Sequence, residues 1–341
     1  MSTILGNPIT LGGGGGNELI VTAPTGSTVT ATKGSITKTA TEKNGTWTFK
    51  GLEAGNWTVT AVKGSDSASS VVTVSAETVT LSFKPTASLK AQSGVTYTNG
   101  ISGISAEKMS LYAEAISNNA SITNATSVVY IDDGVNHRKV SIGDQMTLAL
   151  NDKNYTFDVI GFNHDTLTTA SAYGANTATG KAGITFQMHD LFASPFAMNT
   201  SSPATNTGGW KNSHMRTSVM ETMKGYLPSA WKSIIKPVNK VTGTGGGSTS
   251  GTETVSDSCF LLAEIEIFGS KKYSVYNEGT QYAYYKAGNS KVKNAHGSAD
   301  YWWERSPRSG YSGKFCCVKN DGTAFHSDSY DGRRVSFGFC V

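Results

Sequence analysis

The feature that most constrains the fold of this chain is a two-residue alternation of apolar and polar side chains, repeated through residues 17–84. Short breaks at residues 43–45 and 53–55 divide it. Such alternation buries one face of a strand and leaves the other in water. Several strands of this kind, joined by short turns, predict a small β-sandwich. The apolar members are Val29, Ala31, Trp47, Phe49, Trp57, Val59, Ala61, Val79, Leu81 and Phe83.

The alternating segment contains no group of residues that points to chemistry. Residues 17–84 have neither histidine nor cysteine, and their acidic residues fall mostly near the turns. We therefore interpret the segment as a structural spacer. It resembles the small immunoglobulin-like spacer domains that are common in phage tail and surface proteins.

Composition excludes several classes of function. The chain has 341 residues, of which 16% are charged, and its net charge is +4. The length allows two or three domains, and the low charge excludes a coiled coil or a charge-driven disordered chain. Lysine and arginine form no basic stripe, so we expect no nucleic-acid partner. No apolar run approaches the length of a membrane helix, so we expect no membrane insertion.

The first 16 residues have the character of a tether. Residues 12–16 are five consecutive glycines, which have no side chains to pack. We predict an attachment peptide that becomes ordered on docking to a larger body, and a disordered terminus is the alternative. Residues 1–16 lack the positive and apolar segments of a secretion signal. We therefore expect the protein to leave the cell by lysis or within an assembly.

Helices and strands are mixed in the remaining sequence. Residues 85–127 are a polar connector with a predicted helix over residues 105–118, capped by Ser105. Residues 128–341 form one larger predicted domain. Its expected elements are a hairpin turning at residues 151–154, a helix over 213–224 ended by Gly225, a shorter helix over 228–235, an exposed loop over 243–256 and an apolar strand over 259–268.

The cysteines are expected to be buried free thiols. They are Cys259, Cys316, Cys317 and Cys340. None forms a Cys-x-x-Cys pair, and Cys316 and Cys317 would face opposite sides of a strand, so four zinc ligands would not converge. We also expect Trp210 and Trp303 in the core, because large aromatic residues in a chain with few charges usually pack there.

Two pairs of residues could support catalysis. Glu264 and Glu266 lie two apart on the predicted strand, so they share a face about 6.6 Å apart. Such a pair could hydrolyse a glycosidic bond, but a solvated sheet face is the simpler interpretation. His164 and Asp165 could be a base and its orienting acid, but a turn with His164 hydrogen-bonded locally is simpler. We therefore expect no enzyme activity, no cofactor and no metal.

Six short segments of the larger domain, taken together, resemble a known family. They are IGFNHD at 160–165, GGW at 208–210 followed by Ser213 and Arg216, FLL at 260–262 with Glu264, Glu266 and Gly269, EGTQY at 278–282, WERSP at 303–307 and VSFGFC at 335–340. Their order and spacing are similar to those of an uncharacterised C-type-lectin-like domain family of gut bacteria and their phages. The resemblance covers residues 128–341.

This resemblance implies a C-type-lectin-like α+β fold behind the N-terminal, immunoglobulin-like β-sandwich. In that fold a few helices and a small twisted sheet support a long irregular surface. Such domains commonly end phage tail proteins, and some related ones are the variable proteins of diversity-generating retroelements. The chain lacks the Glu-Pro-Asn and Gln-Pro-Asp motifs of calcium-dependent lectins, so we do not expect calcium-mediated sugar binding.

The expected binding site is a hairpin near the C-terminus that turns at residues 320–322. Its flanking loops are rich in Ser, Tyr, Asp and Gly, a composition typical of antibody paratopes, and two ordinary solvated loops are the alternative. The predicted receptor-binding residues are Arg308, Ser309, Tyr311, Ser312, Lys319, Asn320, His326, Ser327, Asp328, Ser329, Tyr330 and Asp331.

These features together predict a phage tail receptor-binding protein. Its N-terminus would dock to tail proteins, and its C-terminal domain would bind a host-surface protein or glycan without catalysis. We expect synthesis in the bacterial cytoplasm and final location in the virion, and tail-fibre symmetry implies a homotrimer. The alternatives are a tail-associated glycan hydrolase that uses Glu264 and Glu266, and a bacterial surface adhesin, against which the missing signal peptide counts.

Overall fold

Strands dominate the structure, which is a computed structural model. It describes residues 9–10, 17–23, 26–63, 66–75, 79–82, 85–133 and 136–341. Strands account for 37% and helices for 12%, which fits the expected β-rich fold.

The chain divides into two compact units. The first contains the described residues of Met1–Asn99 together with Tyr130–Lys139, and the second contains Gly100–Val129 and Val140–Val341. These limits differ from the boundaries that we predicted at residues 85 and 128. The difference arises because the chain returns to the first unit after an excursion of about thirty residues.

Strands β1–β9 form two sheets of the first unit. Their bounds are β1 (Ile9–Thr10), β2 (Leu19–Thr22), β3 (Thr28–Lys33), β4 (Ile36–Thr39), β5 (Glu42–Lys43), β6 (Thr46–Phe49), β7 (Gly55–Lys63), β8 (Asp66–Val74) and β9 (Val79–Ser82). The strand orders are β1-β9-β2-β6-β5 and β4-β3-β7-β8. Apolar side chains of both sheets, including Leu19, Trp47 and Trp57, form one buried cluster. The predicted alternation is confirmed in β3, β6 and β7, where buried and more exposed residues alternate.

The predicted attachment peptide and tether lie largely outside the described residues. Within residues 1–16 the structure describes only β1, which pairs antiparallel with β9. A third sheet of the first unit uses parts of the chain that we assigned to the connector and the larger domain. Its order is β10-β12-β13-β11, with β10 (Thr86–Ser88), β11 (Thr98–Asn99), β12 (Val128–Asp132) and β13 (His137–Ser141).

A five-stranded sheet forms the centre of the second unit. Its order is β14-β15-β16-β25-β19, with β14 (Gln145–Leu150), β15 (Lys153–Phe162), β16 (Ile184–Met188), β19 (Cys259–Phe260) and β25 (Gly338–Cys340). The predicted hairpin is confirmed as β14–β15. Asn151 and Asp152 both have positive φ, as a two-residue hairpin turn requires.

Shorter elements surround this sheet. The helices are α1 (Ala106–Ser117), α2 (Met220–Tyr226), α3 (Ser229–Lys232), α4 (Glu264–Phe268) and α5 (Ala283–Lys286), and a π-helical turn, Met215–Val219, leads into α2. The remaining strands are β17 (Val238–Gly243), β18 (Thr252–Asp257), β20 (Asn294–Ala295), β21 (Ser298–Ala299), β22 (Trp302–Pro307), β23 (Lys314–Val318) and β24 (Ala324–Asp328). None of the helices in the described ranges is long and apolar enough to span a membrane.

Several predictions for these elements are confirmed. The Ser105 hydroxyl accepts a hydrogen bond from the Lys108 N–H at the start of α1. Trp210 and Trp303 are fully buried. All four cysteines are free and buried. The hairpin β23–β24 turns at residues 319–323, where Gly322 has a φ of 80°.

Three predictions were wrong in detail. The helix predicted to stop at Gly225 continues to Tyr226, and part of the loop predicted over 243–256 is strand β18, paired with β17. The strand predicted over 259–268 ends at Phe260, and α4 follows. This helix starts where the Glu266 carboxylate accepts the Ala263 N–H, and it ends at Gly269, which is left-handed.

Candidate functional site

The three-stranded sheet β22-β23-β24 carries the exposed loops that we predicted as the binding site. Tyr311 precedes β23 and Tyr330 follows β24, and each side chain is 49% exposed. The Ser329 N–H donates to the Gly313 carbonyl at 2.9 Å, so the two loops lie side by side. The structure therefore brings the two predicted anchor loops into one region of the surface.

Arg308 organises one end of this region. Its guanidinium carbon lies 3.5 Å from the centre of the Tyr311 ring and 5.7 Å from that of Tyr273. Its Nη1 is 3.5 Å from Nδ1 of His326. No carboxylate among the described residues forms an ion pair with Arg308, so its charge is directed to aromatic faces.

The aromatic contacts continue across the sheet. Tyr273 meets His326 edge to face at 4.9 Å, and His326 stacks on Phe325 at 5.0 Å with 7° between the ring planes. Phe325 in turn contacts Tyr301 at 6.0 Å. We call this row of rings, Tyr311, Tyr273, His326, Phe325 and Tyr301, the aromatic strip. Arg308 lies beside three of these rings, those of Tyr311, Tyr273 and His326.

The surroundings of His326 favour the neutral form of its ring. Partial burial, followed by the nearby charges of Arg308 and Lys314, lowers the pKa of His326 below its usual value. A neutral ring suits its stacking on Phe325 and its place beside a guanidinium.

Sequence reasoning missed three rings of the strip. Tyr273 lies on the segment after α4, Tyr301 lies just before β22, and Phe325 lies on β24. All three are half-buried. Tyr273 is distant from the hairpin in the sequence, so only the fold could bring it beside Arg308.

Two predicted contact residues are not on the surface. Ser327 is 3% exposed and Ser329 is fully buried. The Ser327 hydroxyl accepts a hydrogen bond from Nε of Arg333 at 3.0 Å, and that of Ser329 accepts one from the Thr205 N–H at 2.9 Å. Their predicted role as receptor contacts was therefore wrong, since both side chains are used inside the protein.

Most of the other predicted residues are accessible. Ser312 and Asn320 are exposed, whereas Ser309 is half-buried. The charged members form ion pairs at the surface, which are individually weak. These pairs are Asp328 with Lys314 at 2.9 Å, Asp331 with Arg333 at 3.4 Å and Lys319 with Asp321 at 3.7 Å.

A depression of about 360 Å³ lies beside the hairpin turn. Phe268, Ser270 and Thr323 line it together with two lysines, Lys272 and Lys291. Neither lysine forms an ion pair with a carboxylate in the part of the chain that the structure describes. The depression thus combines apolar surface, hydroxyl groups and positive charge.

Behind the surface lies a buried network of charges. Nζ of Lys240 is 2.6 Å from Asp165 and 2.8 Å from Glu266, and Arg305 forms two hydrogen bonds to the Glu266 carboxylate. The Tyr282 hydroxyl donates to Asp165 at 3.0 Å. Burial alone would raise the pKa of Asp165, but Lys240 holds it well below the usual range. This network joins β17, α4 and β22 by ion pairs.

The proposed hydrolase pair does not exist. Glu264 and Glu266 lie on α4, not on a strand, and they are 0% and 2% exposed. Glu264 accepts the backbone N–H groups of Lys272, Tyr273 and Ser274. The interpretation that we favoured, a solvated sheet face, was therefore wrong. The alternative, a hydrolase pair, is not supported either, because a hydrolase needs its carboxylates to reach a substrate and both are buried. Glu264 instead anchors the loop that carries Tyr273.

His164 also differs from the prediction. It is not hydrogen-bonded locally through Nδ1, which has no partner among the described residues. The ring is stacked 3.8 Å from that of Tyr282, and burial lowers its pKa. Asp165 pairs with Lys240 and Tyr282, so the two neighbours do not form a base with its orienting acid.

Comparison with known proteins gives one match. The model of a family described as a domain of unknown function, DUF6273, matches residues 184–339. This range contains α2–α5 and the whole sheet β22-β23-β24. No curated protein matches the chain, and no solved structure matches it.

Proposed function

We propose that this chain is a phage tail receptor-binding protein whose second unit binds a host-surface receptor. The observation that carries the proposal is the aromatic strip, which is partly exposed and flanked by Tyr330 and by basic side chains that form no ion pair with any described carboxylate. Tyrosine and arginine dominate the binding energy of many protein interfaces. The strip is also held in place by its own contacts, so little conformational entropy is lost on binding.

The rest of the molecule has supporting roles in this proposal. The second unit is a C-type-lectin-like domain, and its loops around Tyr311 and Tyr330 are the positions open to diversification. The first unit is an immunoglobulin-like spacer, in keeping with two sheets that share one core. Residues 1–16 attach the protein to the tail, and the assembled form is a homotrimer in the virion.

Adsorption to host cells tests the proposal. We expect Tyr311→Ala and Tyr330→Ala each to weaken binding by about 1–2 kcal/mol, because each removes an exposed aromatic anchor. The melting temperature should change little, since exposed substitutions usually alter stability by less than about 0.5 kcal/mol. The measurement is competition between purified variants and phage for host cells, alongside a thermal melt.

Tyr276→Ala is the matched control. Tyr276 is 65% exposed and lies in the same unit, but outside the aromatic strip. It should compete as well as the wild type does. If all three variants lose adsorption equally, or if adsorption falls only where the melt collapses, the strip is not the receptor site.

A further inference from the structure

Glu304 is an anomaly in the interior of the second unit. It lies on β22 and is fully buried, and neither of its carboxylate oxygens has a hydrogen-bond partner among the described residues. An isolated buried carboxylate is strongly unfavourable, and such groups normally have a partner. We therefore expect a group near Glu304 that compensates the negative charge of its carboxylate.

The pairing of β22 with β23 places Glu304 near a thiol. The pairs Trp303–Cys317 and Pro307–Phe315 flank an irregularity, so three consecutive residues of β22 lie opposite Cys316 alone. Bulges of this kind redirect side chains. One carboxylate oxygen of Glu304, one of Glu264 and Sγ of Cys316 all lie within 4.8 Å of one another. Three separate elements, β22, α4 and β23, thus converge on one buried point.

Around α4 the buried carboxyl groups outnumber the buried cationic side chains. The buried carboxylates around α4 are those of Asp165, Glu264, Glu266, Glu278 and Glu304, and the buried cations are Lys240 and Arg305. Lys240 and Arg305 already bind Asp165 and Glu266. The remaining carboxylates have no cation paired with them in the described part of the chain, and Oε2 of Glu278 also lacks a hydrogen-bond partner.

A second acidic group in the same unit shows the contrast. His164, Asp165 and Glu266 also lie within 4.8 Å of one another. There, however, the ammonium group of Lys240 bridges the two carboxylates at 2.6 and 2.8 Å. That group already has its cation. The group at Glu304 has the same acidic character but no lysine or arginine within it.

We infer that Glu264, Glu304 and Cys316 form a binding site for a divalent transition-metal ion of the Zn²⁺ type. Zinc accepts thiolate and carboxylate ligands together, at about 2.3 Å and about 2.0–2.2 Å, so small side-chain rotations would bring the three groups onto one ion. Calcium and magnesium fit less well, because they prefer oxygen ligands alone. Binding releases the thiol proton of Cys316 to solvent. The buried Glu278, whose Oε2 has no hydrogen-bond partner among the described residues, is a candidate for a fourth ligand.

Such an ion would support the surface as well as the core. Glu264 also holds the backbone of residues 272–274, which carries Tyr273 into the aromatic strip. A metal bound to Glu264 would fix that carboxylate and so the loop above it. The metal site itself does not depend on the proposed receptor function, and it can be tested without a receptor.

The test uses the purified full-length chain. Protein treated with a chelator is titrated with Zn²⁺, and the bound metal is counted by elemental mass spectrometry. We expect about one ion per chain and a rise in melting temperature on binding. With Co²⁺ as the probe, we expect a near-ultraviolet thiolate-to-cobalt charge-transfer band, which reports sulfur ligation directly.

Matched variants separate this site from adventitious binding. Cys316→Ala and Glu304→Gln should lose the stoichiometric ion and the cobalt band. Cys317→Ala should keep both, because that neighbouring thiol contacts Ser327 instead. Absence of the cobalt band from the wild type would overturn the proposal, even if no variant folds. Metal uptake that survives Cys316→Ala would also overturn it. So would a Glu304→Gln protein that is more stable than the metal-treated wild type, because a proton rather than a metal ion would then neutralise Glu304.

Discussion

Lys240 is the residue on which the interior charge network of the second unit depends. Its side chain is 2% exposed and bridges Asp165 and Glu266. We expect Lys240→Met to destabilise the second unit by about 3–5 kcal/mol, because it leaves two buried carboxylates without their cation. Urea unfolding measures this. The control is Lys286→Met at the exposed end of α5, which should stay within about 0.5 kcal/mol of the wild type. Equal stability of the two variants would contradict the network.

Asp165 makes the stability of the second unit depend on pH in a direction that can be stated. Lys240 holds the folded-state pKa of Asp165 below its ordinary value of 3.8. A carboxyl with a lowered folded pKa contributes stability above the unfolded pKa and loses it as the pH falls through the folded pKa. We therefore expect the wild type to lose this contribution only below about pH 4.

The same variant checks that sign. In Lys240→Met no lysine pairs with the buried Asp165 carboxylate. Protonation of that carboxylate therefore removes the free-energy cost of burying its charge. The difference in unfolding free energy between wild type and Lys240→Met should shrink as the pH falls from 7 to about 3. A difference that is constant, or that grows in acid, would show that Asp165 is not ionised in the folded protein.

The burial of a single residue was predictable where it follows from the residue type alone. Trp210 and Trp303 belong to the core because their area is large and apolar, and that needs no knowledge of neighbours. Lys240 could not be assigned in this way. Its partner Asp165 is 75 residues away, and a lysine is normally exposed unless such a partner is present.

Gly183 packs against α1 without room for a side chain. A Cβ placed on Gly183 would lie 2.0 Å from the Ala113 carbonyl oxygen of that helix. We expect Gly183→Ala to destabilise the second unit by about 1–3 kcal/mol, because helix and strand must separate to admit a methyl group. A chemical denaturation curve gives the value.

Gly225 is the matched glycine. It lies inside α2 with open space around its Cβ position and without a positive φ. Gly225→Ala should therefore stabilise the unit by about 0.5–1 kcal/mol, since alanine has the higher helix propensity. If both alanine variants change stability in the same direction, the close approach at Gly183 does not decide the packing.

At the scale of elements, local signals predicted well and long-range ones did not. The β14–β15 hairpin was predictable because its alternation and its turn residues are contiguous. Helix α4 was not, since its sequence alternates apolar and acidic residues as a strand would. The partners of its two carboxylates lie outside the helix, eight to ten residues on for Glu264 and at Arg305 for Glu266, so the local pattern does not reveal them. The aromatic strip was predicted only in part for the same reason. Its hairpin residues lie close together in the sequence, whereas Tyr273 is distant from them.

The molecule as a whole places its predicted attachment and binding functions in different units. Deleting residues 1–16 should leave adsorption of the purified protein intact but prevent incorporation into phage particles. The reason is that the aromatic strip lies in the second unit, whereas the deletion removes only the predicted peptide, the glycine run and the short edge strand β1. Immunoblotting of purified particles measures incorporation.

A length-matched variant controls for the glycine run. Replacing residues 12–16 by alternating glycine and serine preserves the flexibility of a tether, so it should be incorporated normally. Normal incorporation of the deletion protein would contradict the attachment role.

The division into units was the least predictable feature of the fold. Composition changes near residue 85, yet β10 and β11 pair with β12 and β13, which follow α1 in the chain. A linear scan of the sequence detects a change in pattern. It does not detect that a later segment returns to complete an earlier sheet.

The positions of the cysteines allow the opening of the second unit to be measured separately. All four thiols lie in the second unit, and burial raises their pKa values, to about 12 for Cys317. A buried cysteine reacts with an alkylating reagent only when the surrounding structure opens. Because the chain has no other cysteine, the rate of alkylation reports the opening of the second unit alone. Mass measurement after timed labelling of the purified protein would follow the lifetime of that unit, without any engineered probe.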